Sequence, residues 1–304
     1  MNNDDEVFAL LASAAAVVPP DSLRAKVLDA AADVRRAGEA IESLGGGQSA
    51  HAADAYVRTV AEFSALLDAA RGDEIIEPYG WTAVQLVGHL LDVDRYFGRQ
   101  LRLWEHAIDE SLEDDHLAMT QAAVQAAAGA DYAELVTRWR AVADQLGAHI
   151  GSLDAEQLRD RIKFHLLDTR LSTVLVVRVF EVWTHIEDLS RALRRPPPGL
   201  DAARLHLMTA TAVAAIPLGM LLAAIDAGQQ TARLVLTGPG GGVWTQPLRL
   251  GSQATDPAVT IVADALEFCR LAAQRTRPDE LDAEVEGSID LAIDVLRGAS
   301  VFAA

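Results

Sequence analysis

One apolar stretch of the sequence contains residues that could bind a metal ion or transfer protons. Residues 171–193 read LSTVLVVRVFEVWTHIEDLSRAL, and Glu181 and His185 lie four positions apart within them. Residues four apart share one face of a helix, so both side chains can point at the same ion. A charge in such a helix is costly to bury without a partner. We therefore expect an ion or another polar group to contact this face of the helix.

A second apolar segment supplies a third candidate ligand, His89. It lies in VGHLL, with Gln85, Asp92 and Tyr96 on the same helical face. Two imidazoles and one carboxylate, with positions left for water, are typical of a catalytic zinc site rather than a closed structural one. Nickel or iron would accept the same ligands, because ligand type alone does not select the metal. The alternative is a Glu–His helix pair without metal.

Other polar residues give weaker functional signals. Glu181 has few obvious cationic partners, and Arg178 and Arg275 are the cations best placed to bind an anionic substrate. His165, in IKFHLL, is a reserve ligand. Cys269, in LEFCRLAA, follows the pattern of a buried helix face, which favours an inert thiol. Less weight falls on the remaining histidines, of which the last is expected in the core: His51, His106, His116, His149 and His206.

Charge and cysteine content exclude several classes of function. Lys and Arg number 26 against 44 Asp and Glu, which gives a formal charge of -18. Such a field repels phosphate backbones and anionic lipids, so we expect no nucleic-acid and no membrane partner. A single cysteine cannot form an intramolecular disulfide or a cysteine-based zinc site. If thiol chemistry occurs here, we expect the thiol to come from outside the chain.

The expected location is the cytoplasm. The first residues, MNNDDEV, are acidic and lack the basic region of a secretory signal. Residues 205–225 carry no Asp, Glu, Lys or Arg over a length close to the ~20 residues of a membrane span. They contain histidine, threonine and proline, and no basic cluster flanks them. We therefore predict a buried helix of a soluble protein.

The pattern along the chain predicts a mainly α protein in three parts. Residues 1–50 form a helical arm with a Gly-rich linker, residues 51–199 a four-helix bundle, and residues 200–304 a smaller α+β domain with an antiparallel sheet. The bundle helices are predicted at 52–70, 82–104, 132–150 and 171–194. The strands are predicted at 231–237, 243–250 and 258–263. GPGGG between the first two strands is typical of a hairpin loop, not of a phosphate-binding loop.

Three segments resemble a known family. WTAVQLVGHL at 81–90, FEVWTHIEDLSRAL at 180–193, and LTGPGGGVWT followed by LAAQR and VEGSIDLAI are similar to the mycothiol-dependent maleylpyruvate isomerases, within the DinB/YfiT-like metal-binding superfamily. The resemblance covers residues 52–301. It implies a DinB-like four-helix bundle in which His89, Glu181 and His185 bind a divalent metal, usually zinc. It also implies that Arg275 is important for activity.

The chemistry that the resemblance implies depends on a low-molecular-weight thiol such as mycothiol. A bound metal lowers the pKa of a thiol and favours the nucleophilic thiolate. The thiolate could isomerise an activated double bond, as in maleylpyruvate isomerases, or be transferred to a small electrophile. The sequence is compatible with either enzyme, an isomerase or an S-transferase.

The first 50 residues suggest an alternative function. The segment EVFALLASAAAVVPPDSLRAKVLDAA is similar to a region of actinobacterial anti-sigma factors, without the His and Cys ligands of their zinc part. An amphipathic helix pair can dock a partner by its apolar face. The alternative is therefore a regulatory binding protein that holds a sigma factor through this arm and uses the remaining fold as a scaffold or sensor.

Overall fold

A computed structural model describes residues 49–77, 79–104, 116–164 and 167–300. The predicted arm and linker lie almost wholly outside these residues. The described helices are α1 (Ser49–Leu67), α2 (Ala83–Gln100), α3 (His116–Ala127), α4 (Tyr132–Ser152), α5 (Leu171–Ala192), α6 (Ala202–Leu222), α7 (Ala265–Ala272) and α8 (Ile289–Ala299). The described strands are β1 (Ile75–Ile76), β2 (Trp81–Thr82), β3 (Arg161–Phe164), β4 (Leu167–Arg170), β5 (Thr231–Thr237), β6 (Gly242–Pro247), β7 (Val259–Asp264) and β8 (Ala283–Gly287).

Four long helices, α1, α2, α4 and α5, form the predicted bundle. Helix α5 packs along α1, and α4 packs against both α1 and α2. Aromatic side chains fill its centre, where Phe63 meets Trp139 edge to face with ring centroids 5.2 Å apart. The helix α3, which the sequence pattern did not predict, packs against α2. The α2 and α5 backbones approach each other at few places, so side chains must bridge the space between them.

The start of α2 is determined by the capping box that the sequence predicts. The Thr82 hydroxyl accepts a hydrogen bond from the Gln85 backbone N–H, and the Gln85 side chain accepts one from the Thr82 N–H. Two of the N–H groups that every helix leaves unpaired at its first turn are satisfied in this way. The cap also sets where His89 falls on the helix, because residues 82 and 89 are two turns apart.

Two short hairpins adjoin the bundle, and the sequence analysis did not predict them. β1 pairs with β2 through only two residues on each strand, and β3 pairs with β4 through four. Strands this short carry too little alternation of apolar and polar residues to be distinguished from loops. The first hairpin leads directly into α2, and the second leads directly into α5.

The sheet of the C-terminal part is mixed, which corrects the prediction of an antiparallel sheet. Its strand order is β6-β5-β7-β8, with β5 and β7 parallel and the other two pairs antiparallel. After the β5–β6 hairpin the chain crosses to the other side of β5, so β7 runs in the same direction as β5. The sequence identifies the strands but carries no signal for this crossing. β8 was also missed, since most of its residues are exposed.

Helix α6 fits the prediction of a buried apolar helix. Among the described residues it is the one helix long and apolar enough to cross a membrane, but 72% of its 18-residue apolar window is buried inside the fold. It packs against α5, α7 and α8. The segment 196–199, PPPG, separates α6 from α5, and we propose that it marks the boundary between the bundle and the α+β domain.

Candidate metal centre

Three side chains from α2 and α5 converge in the bundle. One donor atom from each of His89, Glu181 and His185 lies within 4.8 Å of the donor atoms of the other two. Nε2 of His89 is 3.1 Å from Oε1 of Glu181, and the two imidazole ring centroids are 5.4 Å apart. Both histidines are fully buried. The three residues that the sequence predicted as ligands therefore lie together, across the space between α2 and α5.

Several buried polar atoms of this cluster have no hydrogen-bond partner among the described residues. They are both ring nitrogens of His185 and Nδ1 of His89. Buried polar atoms are nearly always hydrogen-bonded, and exceptions call for an explanation such as an ion. A divalent cation is such an explanation, because neutral imidazole nitrogens and one carboxylate oxygen are the ligands of a catalytic zinc site. The residues present therefore fit a divalent metal.

Glu181 has a close cationic partner, which corrects the expectation that it had few. Arg178, one turn before it on α5, donates to Oε2 of Glu181 and, through Nη2, to Oδ1 of Asp94 at 2.8 Å. Asp94 also accepts a 2.9 Å hydrogen bond from the indole N–H of Trp139. Arg178 is thus fully buried between two carboxylates and is not free to bind an anionic substrate.

The electrostatics of the cluster favour a bound cation. Burial alone would raise the pKa of Glu181, but the charge of Arg178 and the contact with His89 outweigh it, so the pKa lies well below its usual range. Burial lowers the pKa of His185, which favours the neutral ring. Burial raises the pKa of Asp94, although Arg178 and Trp139 act against it. When Asp94 is ionised, two carboxylates face the single guanidinium of Arg178, which leaves one negative charge in the cluster. An uncompensated buried charge is costly, and a metal ion would balance it.

A second ion pair lies behind His185. Asp188 accepts two hydrogen bonds from Arg275, from Nε at 2.9 Å and from Nη2 at 2.7 Å. Its Oδ2 is 3.6 Å from Nδ1 of His185, slightly beyond hydrogen-bond distance. Arg275 follows α7, so the C-terminal part of the chain reaches the neighbourhood of the cluster. Burial alone would raise the pKa of Asp188, but His185 and Arg275 lower it.

Two aromatic rings flank the cluster, and sequence analysis did not assign them to it. Tyr79 and Trp81, carried by the β1–β2 hairpin, stack with centroids 4.4 Å apart. Tyr79 lies 6.0 Å from the ring of His185, and Trp81 lies 5.4 Å from that of His89. The hydroxyl of Tyr79 accepts a 2.5 Å hydrogen bond from Arg275. The sequence feature that could have identified them is their position just before the capping box of α2.

The other predicted candidates lie elsewhere. Cys269 is completely buried, and burial raises the pKa of its thiol, as the expectation of an inert thiol requires. His206 is only half-buried, and its Nδ1 lies 3.2 Å from the carbonyl oxygen of Gly240. The side chains of three further histidines fall outside the described residues: His106, His116 and the reserve ligand His165.

Comparisons with known proteins agree with this architecture. Residues 53–190 match the family model described as the mycothiol maleylpyruvate isomerase N-terminal domain, which confirms the predicted resemblance over the bundle. The crystal structure of the mycothiol-dependent maleylpyruvate isomerase is similar over 80% of this chain and 95% of that one, with a TM-score of 0.53 and 14% identity. A histidine-to-alanine mutant of that enzyme gives a TM-score of 0.50 and 13% identity over the same shares. No curated protein matches the chain. At such identities the structural similarity establishes the mainly helical fold.

Proposed function

We propose that this chain, whose residues 53–190 match the model of the mycothiol maleylpyruvate isomerase N-terminal domain, is a metal-dependent enzyme that uses a low-molecular-weight thiol. The observation that carries the proposal is the convergence of His89, Glu181 and His185, with buried ring nitrogens left without partners. A scaffold would need no such convergence. The thiol we propose is mycothiol, because the structurally similar enzymes are described as mycothiol-dependent.

We assign different roles to the residues in and around the cluster. His89, Glu181 and His185 would hold the metal, for which we propose Zn²⁺. When bound, the metal supplies Lewis-acid chemistry that lowers the pKa of a thiol. The stacked rings of Tyr79 and Trp81 border the cluster and limit the approach of water from their side. Cys269 cannot act as the nucleophile, since its thiol is buried and its pKa is raised.

We propose that Arg275 supports activity as a positioning residue. Asp188 and Tyr79 already occupy its guanidinium, which leaves it poorly disposed to bind substrate. It instead holds Asp188 beside His185. A carboxylate next to the second ring nitrogen of a metal-binding histidine is common and orients the ring. Arg275→Ala should then weaken zinc binding as well as turnover. A group that contacts only the substrate would change turnover alone.

We propose two possible reactions, isomerisation and S-transfer, and both begin with attack by the thiolate of the small thiol. In an isomerisation, the thiolate adds to an activated double bond, the carbon–carbon bond rotates, and elimination returns the thiol. In an S-transfer, the thiolate forms a carbon–sulfur bond and the electrophile releases its leaving group. Isomerisation of maleylpyruvate-like substrates is the first choice, because it is the reaction named for the structurally similar enzymes.

The sequence also raised a regulatory role through residues 1–50. Residues 1–48 lie outside the described part of the chain, so a sigma-factor partner rests on sequence resemblance alone. The metal cluster favours the enzyme. The two readings separate when residues 1–48 are deleted: an enzyme keeps its thiol-dependent turnover, whereas a regulator loses its partner.

The deciding experiment measures metal content and thiol-dependent turnover together. Protein purified without an affinity tag should contain about one zinc, nickel or iron per chain, consistent with one three-residue cluster. His185→Ala should lose both metal and turnover, and the matched control His149→Ala, at the end of α4, should keep both. No metal in the parent protein after zinc is added back would overturn the proposal.

A further inference from the structure

We propose that Arg178 and Asp94 position Glu181 so that its carboxylate offers a single oxygen to the metal, and that this pair sets the metal affinity. The inference deepens the proposed function and rests on it. Neither residue is a candidate ligand. Both act through contacts behind the cluster.

The positioning contacts form a chain that starts on α4. The indole N–H of Trp139 donates to Oδ2 of Asp94 at 2.9 Å, and Nη2 of Arg178 donates to Oδ1 at 2.8 Å. Both oxygens of Asp94 are therefore committed, which fixes its orientation. Asp94, Arg178 and Trp139 are each at most 1% exposed, so water cannot replace these contacts. Arg178 is held at one end by a carboxylate that cannot turn.

The other end of Arg178 holds Glu181. Nη1 of Arg178 donates to Oε2, whereas Oε1 faces the cluster at 3.1 Å from Nε2 of His89. A metal bound through both carboxylate oxygens would compete with Arg178 for Oε2. The arrangement thus selects one-oxygen coordination by Glu181 and leaves more positions at the metal for water, thiol or substrate.

The geometry requires arginine rather than any cation. A guanidinium presents donors in a rigid planar fork and can bridge two carboxylates at once, whereas lysine offers one point charge on a flexible stem. Arg178→Lys therefore keeps the charge next to the metal while removing the bridge. An effect on metal binding in this variant would report positioning and not simple electrostatics.

The chain offers a matched control. Arg204 is also buried and also bridges two carboxylates, Glu62 and Asp201, at the junction of α1 and α6. It contacts no residue of the cluster. Arg204→Lys should lower stability through the same loss of a bridge, without changing the metal site.

The test compares the zinc affinities of the parent protein, Arg178→Lys and Arg204→Lys by competition with a chromophoric chelator. We expect Arg178→Lys to bind zinc about 10- to 100-fold more weakly, the range found when residues behind metal ligands are changed. Arg204→Lys should bind zinc as the parent does. The visible spectrum of the Co²⁺-substituted protein should change in Arg178→Lys only, because it depends on the number and geometry of ligands.

The outcomes separate this inference from the proposed function. Unchanged zinc affinity and an unchanged Co²⁺ spectrum in folded Arg178→Lys would overturn the positioning role and leave the metal site standing. A parent protein that binds no metal would overturn the proposed function itself. If Arg178→Lys does not fold, Asp94→Asn replaces it, since it keeps the shape of the side chain and removes the charge that anchors Arg178. Parent-like zinc binding in Asp94→Asn would equally refute the inference.

Discussion

At the scale of single residues, polar atoms without partners distinguish the candidate metal centre from the ion pairs around it. Arg204 and Arg275 are buried, yet their charges are matched by hydrogen-bonded carboxylates. His185 is equally buried and has no hydrogen-bond partner at either ring nitrogen among the described residues. A structural histidine would normally donate at least one ring N–H to a neighbour. The absence of hydrogen bonds to the ring of His185 is therefore the local reason to expect a bound metal ion.

Cys269 should be unreactive in the folded protein. Burial raises the pKa of its thiol well above the usual range, and the nearby charges of Asp264 and Glu187 raise it further. Thiols react as thiolates, and at pH 8 this one stays protonated. Titration with a chromogenic disulfide at pH 8 should detect no thiol in native protein and one per chain after denaturation. Rapid labelling of native protein would return Cys269 to the list of possible nucleophiles.

The convergence of the candidate ligands could be predicted from the sequence, but their surroundings could not. His89, Glu181 and His185 stand out because polar residues at helical spacing interrupt apolar helices. Nothing in the spacing reveals that Arg178 turns towards Asp94, because that contact joins residues 84 positions apart. The same holds for Asp188 and Arg275, which are 87 positions apart. Long-range pairs of this kind depend on how helices are placed, which local pattern does not encode.

At the scale of elements, the site depends on how closely α3 approaches α2. A Cβ added at Gly88 would lie 2.4 Å from Cβ of Ala127 on α3, far inside van der Waals contact. Glycine is poor for helix stability, so its presence beside His89 needs such a reason. The absent side chain lets α3 lie directly on α2 next to the candidate ligand. Sequence reasoning missed α3, whose alanine-rich segment has no marked amphipathic pattern.

Gly88→Ala should destabilise the protein, although alanine is the better helix former. Overpacking against Ala127 should lower the free energy of unfolding by about 1–3 kcal/mol. The matched control is Gly147→Ala on α4, where an added Cβ meets nothing within 4 Å. That variant should gain up to about 1 kcal/mol from helix propensity. Urea unfolding of both variants gives the comparison, and equal stabilisation would mean that α3 does not pack on α2 in this way.

At the scale of the whole molecule, buried and half-buried ion pairs join the bundle to the C-terminal part. Arg270, on α7, donates to both carboxylate oxygens of Glu187 on α5, at 3.0 and 2.7 Å. Arg275 pairs with Asp188 on the next residue of α5. These contacts fix α7 against the helix that carries Glu181 and His185. The C-terminal part therefore completes the surroundings of the candidate metal centre, and the proposed boundary at 199 separates two units that both contribute to it.

Arg204 is the most buried charge at the junction between α1 and α6, and its loss should affect the whole fold. Arg58 on α1 also lies 3.2 Å from Asp201. Arg204 is 3% exposed and binds Glu62 through two hydrogen bonds of 2.7 and 2.8 Å, together with Asp201 at 2.8 Å. Arg204→Ala removes the main partner of both carboxylates, whose side chains are 29% and 35% exposed, so water can replace part of the lost contact. We expect a loss of about 1–3 kcal/mol in the free energy of unfolding.

The control for this prediction is Arg277→Ala, which removes an exposed pair with Asp279 and should leave the free energy of unfolding almost unchanged. The pH dependence gives a second check. Burial alone would raise the pKa of Asp201, but hydrogen bonds from Arg204 lower it. The stabilisation from Asp201 is therefore present at neutral pH and is lost as the pH falls through that lowered pKa. Arg204→Ala should reduce this part of the acid sensitivity, while the backbone N–H of residue 204 and the charge of Arg58 keep some of it. If both arginine variants melt alike, and with the same pH profile, the two parts are joined by apolar packing of α6 and not by this bridge.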